Sequence, residues 1–193
     1  MRSADIERNT KETQIKLHLD LDQKGKQDKL ETGHGFFNHM LDSFSKHSRF
    51  NLEVKAQGDD TGPHHLVEDV GIVLGEALLE AAGAKRGIER FGHASIPMDE
   101  TLMDVSIDFC GRGFMFFDLP DEITDTETGL GIHLIHDFFY ALSFNGRFNL
   151  HMTLMRGKNP HHIIEAMFKG TAVALRKALE ITQDDLPSTK GVL

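Results

Sequence analysis

One short pattern occurs twice in this chain, and it constrains the fold more than any other feature. His64-His65-Leu66-Val67-Glu68 returns as His161-His162-Ile163-Ile164-Glu165, shifted by 97 residues. Each copy is preceded, 25 positions upstream, by a further histidine: His39 and His136. The likeness continues outside the histidines. Arg49-Phe50-Asn51-Leu52 matches Arg147-Phe148-Asn149-Leu150 at an offset of 98, and one residue fewer in the second loop restores 97 at Pro63 and Pro160. Two copies of so long a unit exclude a solenoid. They predict two homologous half-domains, about 8–92 and 93–183, within one catalytic domain spanning 1–193, and leave a C-terminal tail at 184–193.

Each half reads as alternating elements. Gln14–Leu21 and Met103–Phe109 alternate polar and apolar side chains, the pattern of a half-buried strand. Glycine-bearing turns follow, at Gly25 and at Gly111 and Gly113. Helical periodicity then surrounds His39 and His136. Strands follow from Asn51 and Asn149, and a long apolar helix runs from His64 to about Ala82 and from His161 to about Glu180, with proline at its start. The expected class is α+β, with internally duplicated ββαβα-type half-domains.

On a helix the repeated motif fans its side chains from one face. With the first histidine at zero, the second lies near 100° and the glutamate near 40°, within about 6 Å of rise. Adjacent histidines diverge too far to share one ion, so the pattern predicts two ions. His39, His64, His65, Glu68, His136, His161, His162 and Glu165 are the candidate ligands. Imidazole with carboxylate admits zinc, iron or manganese. No thiolate takes part, which argues against a structural zinc cluster and for a catalytic site with open positions.

Composition narrows the partners. A net charge of -9 speaks against nucleic acid, which needs a basic face. No apolar run is long enough to span a bilayer, and a single cysteine, Cys110, suits a reducing, cytoplasmic setting. A small anionic substrate remains open to a few converging cations.

These residues resemble a known family. Gly33-His34-Gly35-Phe36-Phe37-Asn38-His39-Met40-Leu41-Asp42, both His-His-x-x-Glu motifs, Arg90-Phe91-Gly92, Pro97-Met98-Asp99-Glu100 and Pro187-Ser188-Thr189-Lys190-Gly191 look like imidazoleglycerol-phosphate dehydratase, in the right order from about Arg8 to Lys190. The resemblance implies sheets packed on a central helical layer, with half-domains of the kind seen in a small-subunit ribosomal protein. It implies two Mn²⁺ ions per active site and a homo-oligomer of 24 subunits with sites at subunit interfaces. The eight candidate ligands would hold the ions. Arg90, Arg112, Lys169, Ser188 and Lys190 would hold the substrate phosphate. Glu12 would stand near the substrate.

The implied reaction is dehydration of imidazoleglycerol phosphate to imidazoleacetol phosphate, a late step of histidine biosynthesis. The hydrogen to be removed is barely acidic. The expected route therefore has a metal-held imidazolate ring expel the neighbouring hydroxyl first, which acidifies the adjacent C–H. Glu12 is the candidate for proton transfer, with a metal-bound hydroxide or the ligand carboxylates Glu68 and Glu165 as alternatives. A dinuclear metallohydrolase of a small phosphorylated substrate is the alternative; a histidine-dominated ligand set counts against it. The sequence departs from the family pattern at Asn38, Ser43 and Pro63, and Pro63 removes an expected acidic partner for a ligand.

Overall fold

Alternation decides the strands. In β2 (Thr13–Asp20) Ile15, Leu17 and Leu19 are buried while Gln14 and Lys16 face outward. In β6 (Thr101–Asp108) Met103, Val105 and Ile107 do the same. The computed structural model describes residues 1–23, 29–120, 123, 129–191 and 193. The turn expected at Gly25 lies outside them.

The first half adds β1 (Ser3–Asn9), β3 (Lys29–Glu31) and β4 (Asn51–Gly58), with helices α1 (Gly35–Ser48) and α2 (His64–Ala82). The second contains β5 (Phe91–Met98), β6, β7 (Phe114–Asp118) and β8 (Asn149–Arg156), with α3 (Ile132–Gly146) and α4 (Pro160–Ala178). Each half forms a four-stranded sheet of the same order, β1-β2-β4-β3 and β5-β6-β8-β7. The edge strands β3 and β7 run parallel to β4 and β8; the remaining pairs are antiparallel. The two registers agree: Asp20 faces Asn51, and Asp108 faces Asn149. The α+β class and the duplication are as the sequence implies. Each half carries one more strand, β3 or β7, ahead of its first helix.

The helices lie between the sheets. α2 packs on β1 and β2, and α4 packs on β5 and β6. The strongest helix–helix packing crosses the halves: α2 lies on α3, and α1 on α4. Glycine permits the first of these contacts. A Cβ on Gly71 would stand 2.6 Å from the Phe138 carbonyl oxygen, and one on Gly75 would stand 2.6 Å from that of Leu142. One contiguous core results. It includes Phe138 stacked on Phe168 at 5.1 Å, joining α3 to α4. Such an aromatic pair adds about 0.5–1.5 kcal/mol beyond its buried area.

Both first helices end alike. Arg49 (φ 65°) and Arg147 (φ 52°) close α1 and α3 in the left-handed conformation and turn the chain directly into β4 and β8. At the start of α4, Asn159 accepts a hydrogen bond from the His161 N–H at 2.9 Å, and Pro160 occupies the first turn. This cap fixes where the second histidine pair begins. No helix among the described residues is long and apolar enough to cross a membrane.

Candidate metal centre

The cross-half packing regroups the histidines. His39 on α1 does not sit with the motif that follows it in its own half. Its Nε2 lies 3.4 Å from Glu165 Oε2 on α4, and His161 Nε2 lies 3.2 Å from the same oxygen. One ligand atom from each of His39, His161 and Glu165 falls within 4.8 Å of the others. Two imidazole nitrogens around one carboxylate oxygen form a donor set that a first-row divalent ion accepts, so the residues fit such an ion. Phe36 packs against the His161 ring at 5.1 Å and limits its orientation.

The mirrored set is looser. His64 Nε2 lies 3.5 Å from Glu68 Oε2, and Asp137 links His136 (Nδ1, 3.1 Å) towards His64 (Nδ1, 3.9 Å). His136 packs edge-on to Phe117 at 5.2 Å. The two glutamates differ sharply: the Glu165 side chain is 9% exposed and that of Glu68 46%. Their neighbours one turn on differ as well. Lys169 Nζ bonds Glu165 Oε1 at 2.7 Å, whereas the repeat puts Ile72 at the matching place below Glu68. Burial pushes the Glu165 carboxyl up, but Lys169 and then His39 override it and leave the pKa below the ordinary glutamate value.

The second histidine of each motif turns away from its neighbour. The rings of His64 and His65 stand at 89° to one another, and those of His161 and His162 at 85°. His65 Nδ1 lies 3.3 Å from Asp59 Oδ2 and 3.9 Å from Glu12 Oε2. His162 Nδ1 lies 2.8 Å from Glu100 Oε2. The hydrogen bond with His162, followed by the Asn159 N–H, takes the Glu100 carboxyl down to about 2. Asp59 is lowered too, first by the Thr61 hydroxyl and then by the Thr61 N–H.

The candidate phosphate residues do not converge within one chain. Lys169 stands beside the ligand cluster. Arg90 sits near the other end of α4, where its N–H donates to Ala178 O. That is about 20 Å from Glu165 along the helix axis, at 1.5 Å of rise per residue. Its guanidinium grips Asp108 at 2.7 and 3.0 Å and donates to Pro187 O at 3.0 Å, which ties the tail to the core. The bond to Asp108 raises the Arg90 pKa. Ser188 and Lys190 follow in a turn where the Lys190 N–H donates to Ser188 Oγ. Arg112 is exposed in the turn after β6.

Three acidic partners, Asp59, Glu100 and Asp137, escape a reading of the repeat. Glu100 carries a signal nonetheless. It precedes β6 as Glu12 precedes β2, at a constant offset of 88.

Comparisons with known proteins point to one family. The profile of the family described as imidazoleglycerol-phosphate dehydratase matches residues 32–175. The chain is 50% identical to the imidazoleglycerol-phosphate dehydratase of Lacticaseibacillus casei over the full length of both chains. A crystal structure of that enzyme from Pyrococcus furiosus, in complex with (S)-C348, superposes with a TM-score of 0.86 at 37% identity, covering 97% of this chain and 100% of the other. The Staphylococcus aureus enzyme gives a TM-score of 0.83 at 39% identity, covering 93% and 99%.

Proposed function

The chain belongs to the imidazoleglycerol-phosphate dehydratase family, and on that premise we propose that it dehydrates imidazoleglycerol phosphate to imidazoleacetol phosphate in histidine biosynthesis, with two Mn²⁺ ions per active site. The observation that carries the metal reading is the meeting of His39, His161 and Glu165 within 4.8 Å. His64, His65, Glu68, His136 and His162 complete the proposed ligand set. When bound, the ions act as template and Lewis acid and favour the deprotonated ring of the substrate.

The chain's own residues do the rest. Lys169 holds Glu165 in place and offers its charge to the phosphate. Arg90, Arg112, Ser188 and Lys190 bind the phosphate away from the reacting bonds, which orients the carbon chain. Glu12 takes the proton from carbon. Its side chain is 56% exposed, and its ion-pair neighbour among the described residues is His65 at 3.9 Å, so the carboxylate is free to swing to substrate. Such a group contributes about 10²–10⁴-fold.

An assembly of 24 copies with shared sites is part of the same reading. One support is the span of α4 that separates Lys169 from Arg90. Another is the outer face of the second sheet. There Phe91, Phe114, Phe116 and Met155 are exposed, where the first sheet presents Glu7, Lys16 and Lys55. Large exposed apolar patches mark association surfaces. The protein is placed in the cytoplasm by the same reading, without nucleic acid or membrane partners.

The test is turnover of imidazoleglycerol phosphate by chelator-stripped protein before and after Mn²⁺. Activity should vanish and return with the ion. Metal-loaded protein that instead releases inorganic phosphate would move the assignment to a hydrolase.

A further inference from the structure

Duplication gave both halves a glutamate in the same place, and the two now have different surroundings. Glu12 ends the β1–β2 turn and Glu100 the β5–β6 turn, each directly ahead of the strand that pairs with β4 or β8. Each lies near the second histidine of the motif in its own half. Glu100 is locked. It accepts from the backbone N–H of Asn159 at 2.9 Å and of Lys158 at 3.3 Å, and it meets His162 Nδ1 at 2.8 Å. Glu12 lies 3.9 Å from His65, beyond hydrogen-bond reach.

The loops ahead of α2 and α4 account for the difference. Asp59 stands between β4 and α2 and reaches His65 Nδ1 at 3.3 Å, itself held by the Thr61 N–H at 3.1 Å and hydroxyl at 2.6 Å. The matching loop between β8 and α4 is Gly157-Lys158-Asn159, which has no carboxylate. In the second half the turn glutamate must therefore orient the histidine. In the first half the loop aspartate does so.

From this we infer that Glu100 and Asp59 are paired positioning residues, which fix the tautomer of His162 and His65, and that Asp59 thereby releases Glu12 for work on substrate. The chemistry is direct. A carboxylate only accepts, so each Nδ1 must carry the hydrogen and each Nε2 keeps its lone pair for a metal. Asp99 Oδ2, at 3.6 Å from His162 Nε2, is too far to claim that nitrogen. The inference rests on the metal reading above.

The experiment compares Mn²⁺ binding to the metal-stripped full-length protein, read from the EPR signal of free aqueous Mn²⁺. The variants are Glu100→Gln, Asp59→Asn and Glu12→Gln, with thermal melting as the folding control. The amides keep an oxygen acceptor for the loop N–H groups but lose the charge that raises imidazole basicity. Glu100→Gln and Asp59→Asn should each weaken Mn²⁺ binding roughly 10–100-fold. Glu12→Gln should bind Mn²⁺ as the wild type does and lose turnover at saturating ion. Wild-type affinity in Glu100→Gln, or in Asp59→Asn, overturns the positioning roles. Equal weakening in Glu12→Gln overturns the division of labour. Wild-type protein that takes up no Mn²⁺ is a separate result, and it brings down the metal reading along with this one.

Discussion

At the scale of single residues, Lys169 and Glu165 are the most informative pair. Glu165 is nearly buried, and its charge is tolerated because Lys169 sits at i+4. Its folded pKa is depressed, so in metal-free protein the pair contributes stability above the ordinary carboxylate range and loses it as pH falls through the folded pKa. Lys169→Met should cost metal-free protein about 1–3 kcal/mol near neutral pH, with the deficit shrinking as the solution is taken below about pH 4. Urea midpoints at both pH values would check this, and a deficit constant with pH would refute it. The same variant should raise KM for the phosphorylated substrate. The candidate ligands were legible in the sequence because the repeat picks six of the twelve histidines and brings Glu68 and Glu165 with them. Asp59, Glu100 and Asp137 were not. Asp59 and Asp137 reach their histidines from a loop and from the adjoining helix position, where the other half has no carboxylate, and Glu100 matches Glu12 at an offset of 88 rather than the 97 of the motif.

Among the elements, legibility followed the buried face. β2 and β6 bury every second residue, and α2 and α4 begin at the repeated motif, so alternation and repetition reveal them. β3 has three residues and β7 has five, and neither carries a fully buried side chain that would mark a face. The sequence left them unread because only their pairing to β4 and β8 holds them as strands. Close helix contact depends on Gly71 and Gly75, which let α2 touch the α3 backbone. Gly75→Ala would gain about 1 kcal/mol of helix propensity. Its methyl would also meet Leu142 O at 2.6 Å and Gly146 N at 2.8 Å. Overpacking of this kind costs about 1–3 kcal/mol, and α3 backbone cannot yield as a side-chain tip can. Chemical denaturation should therefore show Gly75→Ala destabilised; an unchanged midpoint would mean that the helices slide apart freely.

At the scale of the whole molecule, the proposed reading gives a site in pieces. Lys169 stands on α4 with the ligand cluster, whereas Arg90 and the tail meet the C-terminal end of that helix, so on the reading proposed above the two contributions to one site come from different chains. Two crippled chains should then rescue one another. His161→Ala and Lys190→Ala, each with little activity alone, should regain up to about one quarter of wild-type turnover when unfolded, mixed equally and reassembled, the share of sites that draw both intact contributions. Failure of rescue in fully reassembled particles would return the whole site to a single chain. The crossing of His39 to Glu165 also reaches back in time. A half-length ancestor could not have brought its upstream histidine to its own motif, because the packing that does so joins α1 of one half to α4 of the other. It would have held an ion only as a pair of identical chains. On the proposed reading the present polypeptide corresponds to two such chains joined end to end, and the joining lets Glu12 and Glu100, which a homodimer would keep identical, take up different duties.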